Sequence, residues 1–329
     1  MQVTVFSCRK YDELPEFQKN AEELGLKLVI TNEIPTLDNV HLVEGSLCVD
    51  ITTTLIDRKL MEAYYSKGVR YIVTRCIGYD HIDIAAAKEI GITVANTPYG
   101  PDGVADYTVM LMIMAMRHMN EIMMRNAVQD YTLRGLLGKE LKDMTVGIIG
   151  TGRIGQSVMR NLSGFGCKVL CYDLYPSKAA ECYGEYVSFE QLIKQADIIS
   201  LHLPVTEENF HMLNAEAFEQ MKQGVIIVNT GRGGLIDSNA LADAVESGKV
   251  GAAALDVVEN EFDLCYYDKK CDVLTNRELA LFRSYPNVIV SHHMAFYTNN
   301  YLSTIVGDSL RGCKAFMTGE ENPWIVSQP

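Results

Sequence analysis

The first hundred residues alternate short apolar runs with stretches of helical periodicity. Runs rich in β-branched and aromatic residues predict five strands, at 3–6, 27–30, 47–51, 71–74 and 93–95. Apolar residues recur at a spacing of three or four over 57–66 and 83–89, which predicts helices between strands. Short strands that alternate with helices favour a parallel sheet, so this region is predicted to be a small α/β unit.

A segment rich in proline and glycine, Asn96-Thr97-Pro98-Tyr99-Gly100-Pro101, interrupts this alternation. Two prolines and a glycine within six residues cannot continue a strand, so we place a domain crossing there. A long helix is predicted over 103–127, where seven methionines make most of its faces apolar. We expect this helix to be buried on several sides, partly by a second subunit, and therefore expect a homodimer.

Strands and helices alternate again in the second half of the chain. Six strands are predicted there, the count of a doubly wound nucleotide-binding fold, at 146–149, 168–172, 198–201, 225–229, 251–255 and 288–290. Ser238 is predicted to be the N-cap of one helix, and Gly248 to lie just past its end. A last helix over 300–317 is expected to return to the first domain. We therefore predict an α/β protein of two Rossmann-like or flavodoxin-like domains, with doubly wound parallel sheets and a cleft between them.

Composition and charge narrow the class of protein. Of the 329 residues, 48% are apolar and 22% are charged, as in soluble globular proteins, and this length favours two domains. The net charge of −13 argues against a nucleic-acid or anionic-membrane partner, because such partners need a basic surface. The richest apolar stretch, 109–116, is far shorter than the ~20 residues that span a bilayer.

The nine cysteines and the first residues bear on the cellular compartment. The cysteines are odd in number and form neither a CxxC pair nor a zinc-type spacing with histidine, so we expect reduced thiols and no metal site. Residues 1–6 resemble a strand rather than a signal peptide, so we expect no export and a cytoplasmic location.

The strongest chemical signal is the glycine-rich motif Gly150-Thr151-Gly152-Arg153-Ile154-Gly155. It follows a predicted strand and opens a predicted helix, and Asp173 ends the next strand 23 residues after Gly150. In a dinucleotide-binding turn, Gly150 permits the tight turn, Gly152 lets the pyrophosphate approach the backbone, and Gly155 lets helix and strand pack closely. Asp173 would bind the ribose hydroxyls and repel a 2′-phosphate, so the predicted cofactor is NAD rather than NADP. A glycine-rich turn that binds no ligand is the alternative.

Three polar residues downstream of this motif could assist reduction of a carbonyl group. Arg232 follows a predicted strand, at the edge where open α/β sheets bind ligands, and an arginine there can grip a carboxylate. His293 follows the last predicted strand and can donate a proton near neutral pH, but His292 is indistinguishable from it by composition. Glu261 could orient the imidazole, with Glu259 as a rival. From the residues alone, a surface arginine and solvated loop groups remain alternatives.

Taken in order, these motifs resemble the D-specific 2-hydroxyacid dehydrogenase family over nearly the whole chain. The matching blocks are 150–155 with Asp173, 201–204, 229–233, 254–257 and 291–297. The likeness is to the D-lactate dehydrogenase branch, including enzymes of the vancomycin-resistance type, whose loop after the catalytic strand resembles 259–274. By the family pattern, the catalytic residues are Arg232, Glu261 and His293.

The resemblance also implies which residues bind cofactor and substrate. Those implied to bind NAD are Gly150, Gly152, Arg153, Ile154, Gly155, Asp173, Leu203, Pro204, Asn209, Thr230, Gly231 and Asp256. Those implied to bind substrate are Ile77 and Gly78, through amides that hold its carboxylate, Arg232, and Tyr99 and Phe296 near its side chain. Tyr99 could instead simply pack at the domain crossing. The implied domains are a substrate domain over 1–99 and 299–329 and an NAD-binding Rossmann domain over 100–298.

The expected function is NAD-dependent reduction of a 2-keto acid, such as pyruvate, phenylpyruvate or 2-ketoisocaproate, to the D-2-hydroxy acid. His292 and Met294 replace the family's usual proline and threonine, and 50–54 is small and polar where many lactate enzymes place a larger residue. The side chain of the substrate therefore stays open. A corepressor-like protein that senses NAD(H) on the same fold is the alternative function. Cys76, beside the predicted substrate loop, could make activity sensitive to thiol reagents, or could be buried and inert.

Overall fold

The chain divides into two compact units. The computed structural model describes residues 1–261, 264, 266 and 268–327. The first unit is formed by Met1–Gly100 and by the chain from Tyr297 onward, and the second by Pro101–Phe296. The second unit is thus inserted into the sequence of the first.

The described residues form short strands and helices in close alternation. The strands are β1 (Gln2–Val5), β2 (Lys27–Ile30), β3 (Cys48–Ile51), β4 (Tyr71–Thr74), β5 (Thr93–Asn96), β6 (Thr145–Ile149), β7 (Lys168–Tyr172), β8 (Glu185–Tyr186), β9 (Ile198–Leu201), β10 (Val225–Asn229), β11 (Val250–Leu255), β12 (Val288–Val290) and β13 (Ile325–Ser327). The helices are α1 (Glu13–Leu24), α2 (Arg58–Ser66), α3 (Ile84–Ile90), α4 (Asp102–Met116), α5 (Met119–Ala127), α6 (Arg153–Ser163), α7 (Phe189–Gln195), α8 (Ala215–Gln220), α9 (Ser238–Glu246), α10 (Arg277–Ser284) and α11 (Asn299–Thr318). Short 3-10 helices cover Leu37–Val43, Leu141–Asp143 and Gly233–Leu235.

The sheet of the first unit has the strand order β13-β5-β4-β3-β1-β2. β1 to β5 pair in parallel, and β13 pairs antiparallel with β5 at one edge. One apolar cluster, which includes Phe6, Tyr64 and Ile72, packs beside this sheet. Because parallel strands bring their carboxyl ends to one edge, the loops that follow β1, β3 and β4 lie beside one another.

The sheet of the second unit has the order β12-β11-β10-β9-β6-β7-β8, and its pairings are parallel. Neighbouring residues of β6 belong to different apolar clusters, with Ile148 in one and Ile149 in the other. Successive strand residues point to opposite faces, so both faces of this sheet are covered. Chain order reverses direction between β6 and β9, which is the position where doubly wound sheets bind nucleotides. The predicted class of two Rossmann-like α/β units with parallel sheets is confirmed.

The prediction of one continuous helix over 103–127 is wrong. α4 ends at Met116 and α5 begins at Met119, because His118 has a left-handed backbone with φ of 53°. α5 has no buried residue in this chain, and Met123 and Met124 are 58% and 54% exposed. Only the α4 part of the segment has the buried faces that its composition predicts, among them Leu111 and Met112.

Two smaller sequence predictions also need correction. Ser238 is the first residue of α9, and the N-cap is Asp237, whose carboxylate accepts hydrogen bonds from the backbone N–H groups of Asn239 and Ala240 at 3.0 and 3.1 Å. Among the described residues, the second sheet has seven strands rather than six, because the two-residue β8 extends its edge. Within the part of the chain that the structure describes, every helix is too short or too polar to cross a membrane.

Candidate active site

The glycine-rich turn after β6 has the geometry of a nucleotide-binding loop. Gly150 has φ of 98°, and a Cβ on it would lie 2.6 Å from the carbonyl oxygen of His202. A Cβ on Gly155 would lie 1.9 Å from the carbonyl oxygen of Gly150, so this position of α6 requires glycine. A Cβ on Gly152 would meet no atom within 4 Å. The first turn of α6, which contains Arg153 and Ile154, is therefore open on the side where its free N–H groups can bind phosphate.

Asp173 follows β7 and is tied to the glycine-rich turn. Its Oδ2 accepts hydrogen bonds from the backbone N–H of Thr151 at 2.6 Å and from the Thr151 hydroxyl at 3.1 Å. Its Oδ1 accepts one from the backbone N–H of Tyr175 at 2.9 Å. The acid expected to bind ribose is thus fixed beside the loop expected to bind pyrophosphate. These residues fit a bound dinucleotide.

Five of the other predicted cofactor residues follow β9 and β10 at the same edge of the sheet. Asn209 organises its own turn, since its side chain accepts a hydrogen bond from the N–H of Thr206 and donates one to the carbonyl of Pro204 at 2.7 and 2.8 Å. Leu203 is half-buried and packs against the apolar core of the unit. The Thr230 hydroxyl is hydrogen-bonded to that of Thr108 at 2.8 Å. Asn209 and Thr230 therefore shape this edge through contacts within the protein.

Arg232 is presented by a tight loop at the end of β10. The Asn229 side chain accepts a hydrogen bond from the N–H of Gly231 at 3.0 Å and donates one to the carbonyl of Arg232 at 2.9 Å. The next residue, Gly233, lies directly against the segment after β11, where its Cβ would come within 2.1 Å of the carbonyl carbon of Val258. The loop that carries Arg232 is thus in direct backbone contact with the segment that leads to Glu261.

Glu261 and His293 form a pair. Oε1 of Glu261 lies 2.8 Å from Nδ1 of His293, and Oε2 accepts a hydrogen bond from the N–H of Val258 at 3.0 Å. Glu261 is only 8% exposed. Since a carboxylate only accepts hydrogen bonds, Nδ1 of His293 carries the hydrogen. Nε2 is then the ring nitrogen that can exchange a proton with another molecule.

The structure distinguishes His293 from His292 and Glu261 from Glu259, which the sequence alone did not. His293, not the exposed His292, contacts Glu261. Glu259 instead contacts His211, whose Nε2 donates to its Oε1 at 2.7 Å. Sequence reasoning missed His211, because its partner lies 48 residues further along the chain.

His293 sits in a turn that Asp256 holds in place. The Asp256 carboxylate accepts hydrogen bonds from the Ser291 hydroxyl and from the N–H groups of Met294 and Ala295 at 2.6, 2.8 and 2.9 Å. The Asp256 carbonyl accepts a further one from the N–H of His293 at 2.8 Å. Predicted as a cofactor residue, Asp256 acts in this structure as the anchor of the histidine turn.

Two aromatic rings, those of Phe296 and Tyr266, lie beside His293. Phe296 meets its ring edge to face with centroids 5.9 Å apart, and Tyr266 lies 5.9 Å from Phe296. The Tyr266 hydroxyl donates a hydrogen bond to the carbonyl of His293 at 3.1 Å. Sequence reasoning missed Tyr266, since a tyrosine in a long polar loop carries no motif.

In the first unit, the predicted substrate loop follows β4. The carbonyl of Ile77 accepts a hydrogen bond from the Asn96 side chain at 2.7 Å, and that of Cys76 accepts one from the N–H of Thr97 at 3.1 Å. Gly78 comes next and is half-buried. Tyr99 packs edge to face on Tyr301 with centroids 5.0 Å apart. These contacts fix the carbonyl side of the loop to the strand that follows.

A buried group of charges lies at the root of this loop. The guanidinium of Arg75, fully buried, is paired with Asp50 and lies 3.3 Å from Oε1 of Glu13. It also donates to the carbonyl of Phe6 at 2.9 Å. Burial raises the pKa of the nearby Cys8 thiol to about 11. Among the described residues, no group of three or more His, Cys, Asp or Glu could hold a metal ion.

A dinucleotide turn, an acid fixed beside it and a carboxylate–histidine pair at the carboxyl edge of a doubly wound sheet define a nucleotide-dependent oxidoreductase. A family model described as D-isomer specific 2-hydroxyacid dehydrogenase, NAD binding domain, matches residues 109–295. The chain belongs to the D-isomer specific 2-hydroxyacid dehydrogenase family, and its cofactor is NAD.

Similar proteins match along nearly their full length. A D-specific alpha-keto acid dehydrogenase of Enterococcus faecalis is 39% identical, over 96% of this chain and 97% of the relative. An aromatic 2-oxoacid reductase of Clostridium sporogenes is 37% identical, over 94% of each chain. The crystal structure of a D-lactate dehydrogenase from Treponema pallidum superposes with a TM-score of 0.88 at 32% identity, over 99% of this chain and 100% of that one.

Proposed function

We propose that the protein reduces a 2-keto acid to the D-2-hydroxy acid with NADH. The observation that carries this proposal is the Glu261–His293 pair, 2.8 Å apart, in the NAD-binding unit. Family membership supports the same reaction, and the relatives named for alpha-keto acids and aromatic 2-oxoacids indicate the class of substrate. When bound, NADH supplies the hydride that reduces C2 of the keto acid.

His293 donates the proton. Its Nδ1–H is held by Glu261, so Nε2 is the ring atom that gives a proton to the carbonyl oxygen as that oxygen becomes a hydroxyl. The negative charge of Glu261 stabilises the imidazolium before transfer. Asp256 and Tyr266 hold the backbone of the histidine turn, which limits the orientations of the ring.

Arg232 binds the carboxylate of the keto acid. A guanidinium can form two parallel hydrogen bonds to a carboxylate and polarise an adjacent carbonyl. The family resemblance assigns amides at Ile77 and Gly78 to the same carboxylate, and assigns Tyr99 and Phe296 to the substrate side chain. Pyruvate, phenylpyruvate and 2-ketoisocaproate are the substrates to compare.

The direct test is NADH oxidation by the purified protein with each of these three keto acids. We expect turnover of at least one of them, and chiral chromatography should find the D-hydroxy acid. NADH binding without turnover of any 2-keto acid would contradict the proposal and would favour the NAD(H)-sensing, corepressor-like alternative.

The adjacent histidines provide a matched pair of variants. His293→Gln should lower kcat by about 10³-fold while NADH binding survives, because proton donation is lost. His292→Gln, one residue away and exposed, should retain normal turnover. Arg232→Ala should chiefly raise KM for the keto acid. Normal turnover by His293→Gln would exclude the assigned mechanism.

We also propose that the protein is a homodimer. Support comes from α5 and the chain after it, where Met123, Met124, Val128, Tyr131 and Leu133 are all exposed. Contiguous apolar residues of this kind are typical of subunit interfaces. Light scattering should give twice the mass of the chain, and Met123→Lys with Met124→Lys should shift it toward the monomer. A monomeric wild-type protein would contradict the proposal.

We propose a cytoplasmic location. The described cysteines, from Cys8 to Cys313, are free thiols, and Cys182 and Cys271 are exposed. Exposed unpaired thiols are typical of proteins in reducing compartments. Fractionation of cells that express the protein tests this, and recovery outside the cytoplasmic fraction would contradict it.

A further inference from the structure

A line of hydroxyl groups ends on the carboxylate of Asp173. The Tyr186 hydroxyl donates to the hydroxyl oxygen of Thr151 at 2.7 Å. The Thr151 hydroxyl in turn donates to Oδ2 of Asp173 at 3.1 Å, beside the 2.6 Å bond from the Thr151 N–H. Tyr186 is placed in the edge strand β8, paired with Cys171 of β7, two residues before Asp173.

The direction of these hydrogen bonds is determined by their donors. The backbone N–H of Ser177 donates to the Tyr186 oxygen at 2.9 Å. The Tyr186 hydrogen therefore turns toward Thr151 at 2.7 Å rather than the Ser177 carbonyl at 3.4 Å. A hydroxyl has one hydrogen, so Thr151, having accepted from Tyr186, gives its own to Asp173. Both Thr151 donors thus point at one carboxylate oxygen.

The two carboxylate oxygens of Asp173 therefore differ in the hydrogen bonds that they accept. Oδ2 is occupied by the N–H and hydroxyl of Thr151, which is 2% exposed. Oδ1 accepts a hydrogen bond from the Tyr175 N–H at 2.9 Å, and as a carboxylate oxygen with two lone pairs it can accept another. Bonds to a charged acceptor are stronger than neutral ones, so Asp173 is held in one orientation before any cofactor arrives.

We propose that Tyr186 is a positioning residue for the Asp173 carboxylate, and that it tightens binding of NADH and its preference over NADPH. The proposal deepens the cofactor role of this site and rests on the NAD-binding part of the proposed function, not on the identity of the keto acid. With the carboxylate held in place, Oδ1 meets the ribose hydroxyls, and its charge meets a 2′-phosphate at short range. If the Asp173 carboxylate were free to turn, its hydrogen bonds to the ribose hydroxyls would weaken. Its repulsion of a 2′-phosphate would weaken as well.

The test is Tyr186→Phe, which removes one hydroxyl and keeps the ring. NADH binding, followed by fluorescence titration without substrate, should weaken by about fivefold. In turnover, KM for NADH should rise similarly while kcat at saturating NADH changes less than twofold. The ratio of kcat/KM for NADH to that for NADPH should fall. Tyr183→Phe is the matched control, since Tyr183 is a half-buried tyrosine of the same segment that packs on the apolar core.

Variants of Thr151 test the hydroxyl group that links Tyr186 to Asp173. Thr151→Val removes the hydroxyl at nearly constant volume and should weaken NADH binding at least as much as Tyr186→Phe, whereas Thr151→Ser should restore it. Adding Tyr186→Phe to Thr151→Val should have little further effect, because both act through one hydrogen bond.

NADH affinity of Tyr186→Phe within twofold of the wild type, or equal weakening by Tyr183→Phe, would overturn the proposal. So would equal behaviour of Thr151→Ser and Thr151→Val. Because the fluorescence titration needs no keto acid, a wild-type protein that binds NADH without turnover refutes the proposed reaction and leaves this test intact.

Discussion

Glu259, two residues before the acid that contacts His293, accepts a hydrogen bond from Nε2 of His211 at 2.7 Å. The second oxygen of Glu259 accepts from the hydroxyl and N–H of Ser238 at 2.7 and 3.2 Å. Its carbonyl accepts from the Asn276 side chain at 2.8 Å. The turn that carries Glu261 is therefore fixed at its preceding residues to α9 and to the N-cap of α10.

The first prediction follows from this contact. Glu259→Gln should lower kcat by about tenfold, because small misplacements of a catalytic group are costly, while KM for NADH stays nearly constant. It should also lower the free energy of unfolding by about 1–2 kcal/mol, measured by urea titration. Glu216→Gln, an exposed acid on α8, is the control and should change neither quantity. A Glu259→Gln enzyme with wild-type kcat would show that the turn does not depend on this pair.

The second prediction concerns the contact between Gly233 and the segment after β11. In Gly233→Ala, the new Cβ would lie 2.1 and 2.3 Å from the carbonyl carbon and oxygen of Val258, which are backbone atoms and cannot rotate away. We expect a loss of about 3 kcal/mol in the free energy of unfolding and a marked loss of kcat. Gly164→Ala is the control, since Gly164 has φ of −68° and an ordinary contact at 3.7 Å. Equal stability of the two variants would refute the argument.

The third prediction concerns the anchor of the histidine turn. Asp256→Asn keeps the shape of the side chain but turns one of its two accepting oxygens into a donor, facing either Ala295 N–H or the Ser291 and Met294 donors. We expect about 2 kcal/mol lower stability by urea titration and a reduced kcat. Ser291→Ala removes a single donor and should have a smaller effect on both. If Ser291→Ala were the more harmful, the turn would not depend on the backbone contacts of Asp256.

The fourth prediction is a dependence of stability on pH. Burial lowers the pKa of His202 from 6.5 to about 3, and its Nδ1 is buried while Nε2 shares a hydrogen bond with the Ser200 hydroxyl at 2.9 Å. Between these two pH values the unfolded chain binds a proton that the folded protein excludes, so acid favours unfolding. This residue should contribute a loss of about 2 kcal/mol between pH 8 and pH 5.

Comparing variants isolates that contribution from other titrating groups. Urea titrations of His202→Gln at the same two pH values should show an acid loss smaller by roughly that amount. His292→Gln, at an exposed histidine, should keep the acid loss of the wild type. An unchanged acid loss in His202→Gln would mean that the ring is protonated in the folded protein.

Local patterns were enough to predict most of the fold. Six strands have the bounds predicted from their apolar runs, namely β2, β4, β7, β9, β10 and β12. The break between α4 and α5 was missed, because it depends on the backbone of His118, and histidine is not a helix breaker by composition. Asp237 and Ser238 are both good N-caps, and only the reach of the Asp237 carboxylate to two N–H groups decides between them.

The candidate site was less accessible to local reasoning. The glycine-rich turn could be predicted because its requirements lie within a few residues, as the 1.9 Å approach at Gly155 illustrates. The histidine partners of Glu259 and Glu261 could not, because each lies more than 30 residues away along the chain and is brought near only by the fold. The family resemblance named Glu261 and His293, and it did not reveal the contact between His211 and Glu259.

The buried charges at the root of the first unit's loop limit how this chain can vary over evolutionary time. Arg75, Asp50 and Glu13 are each at most 1% exposed, and loss of Arg75 alone would leave two carboxylates in the core without their shared cation. An apolar replacement of the whole group would carry no such penalty. Descendants of this sequence are therefore expected to keep the three residues together or exchange them together, although they lie far apart along the chain.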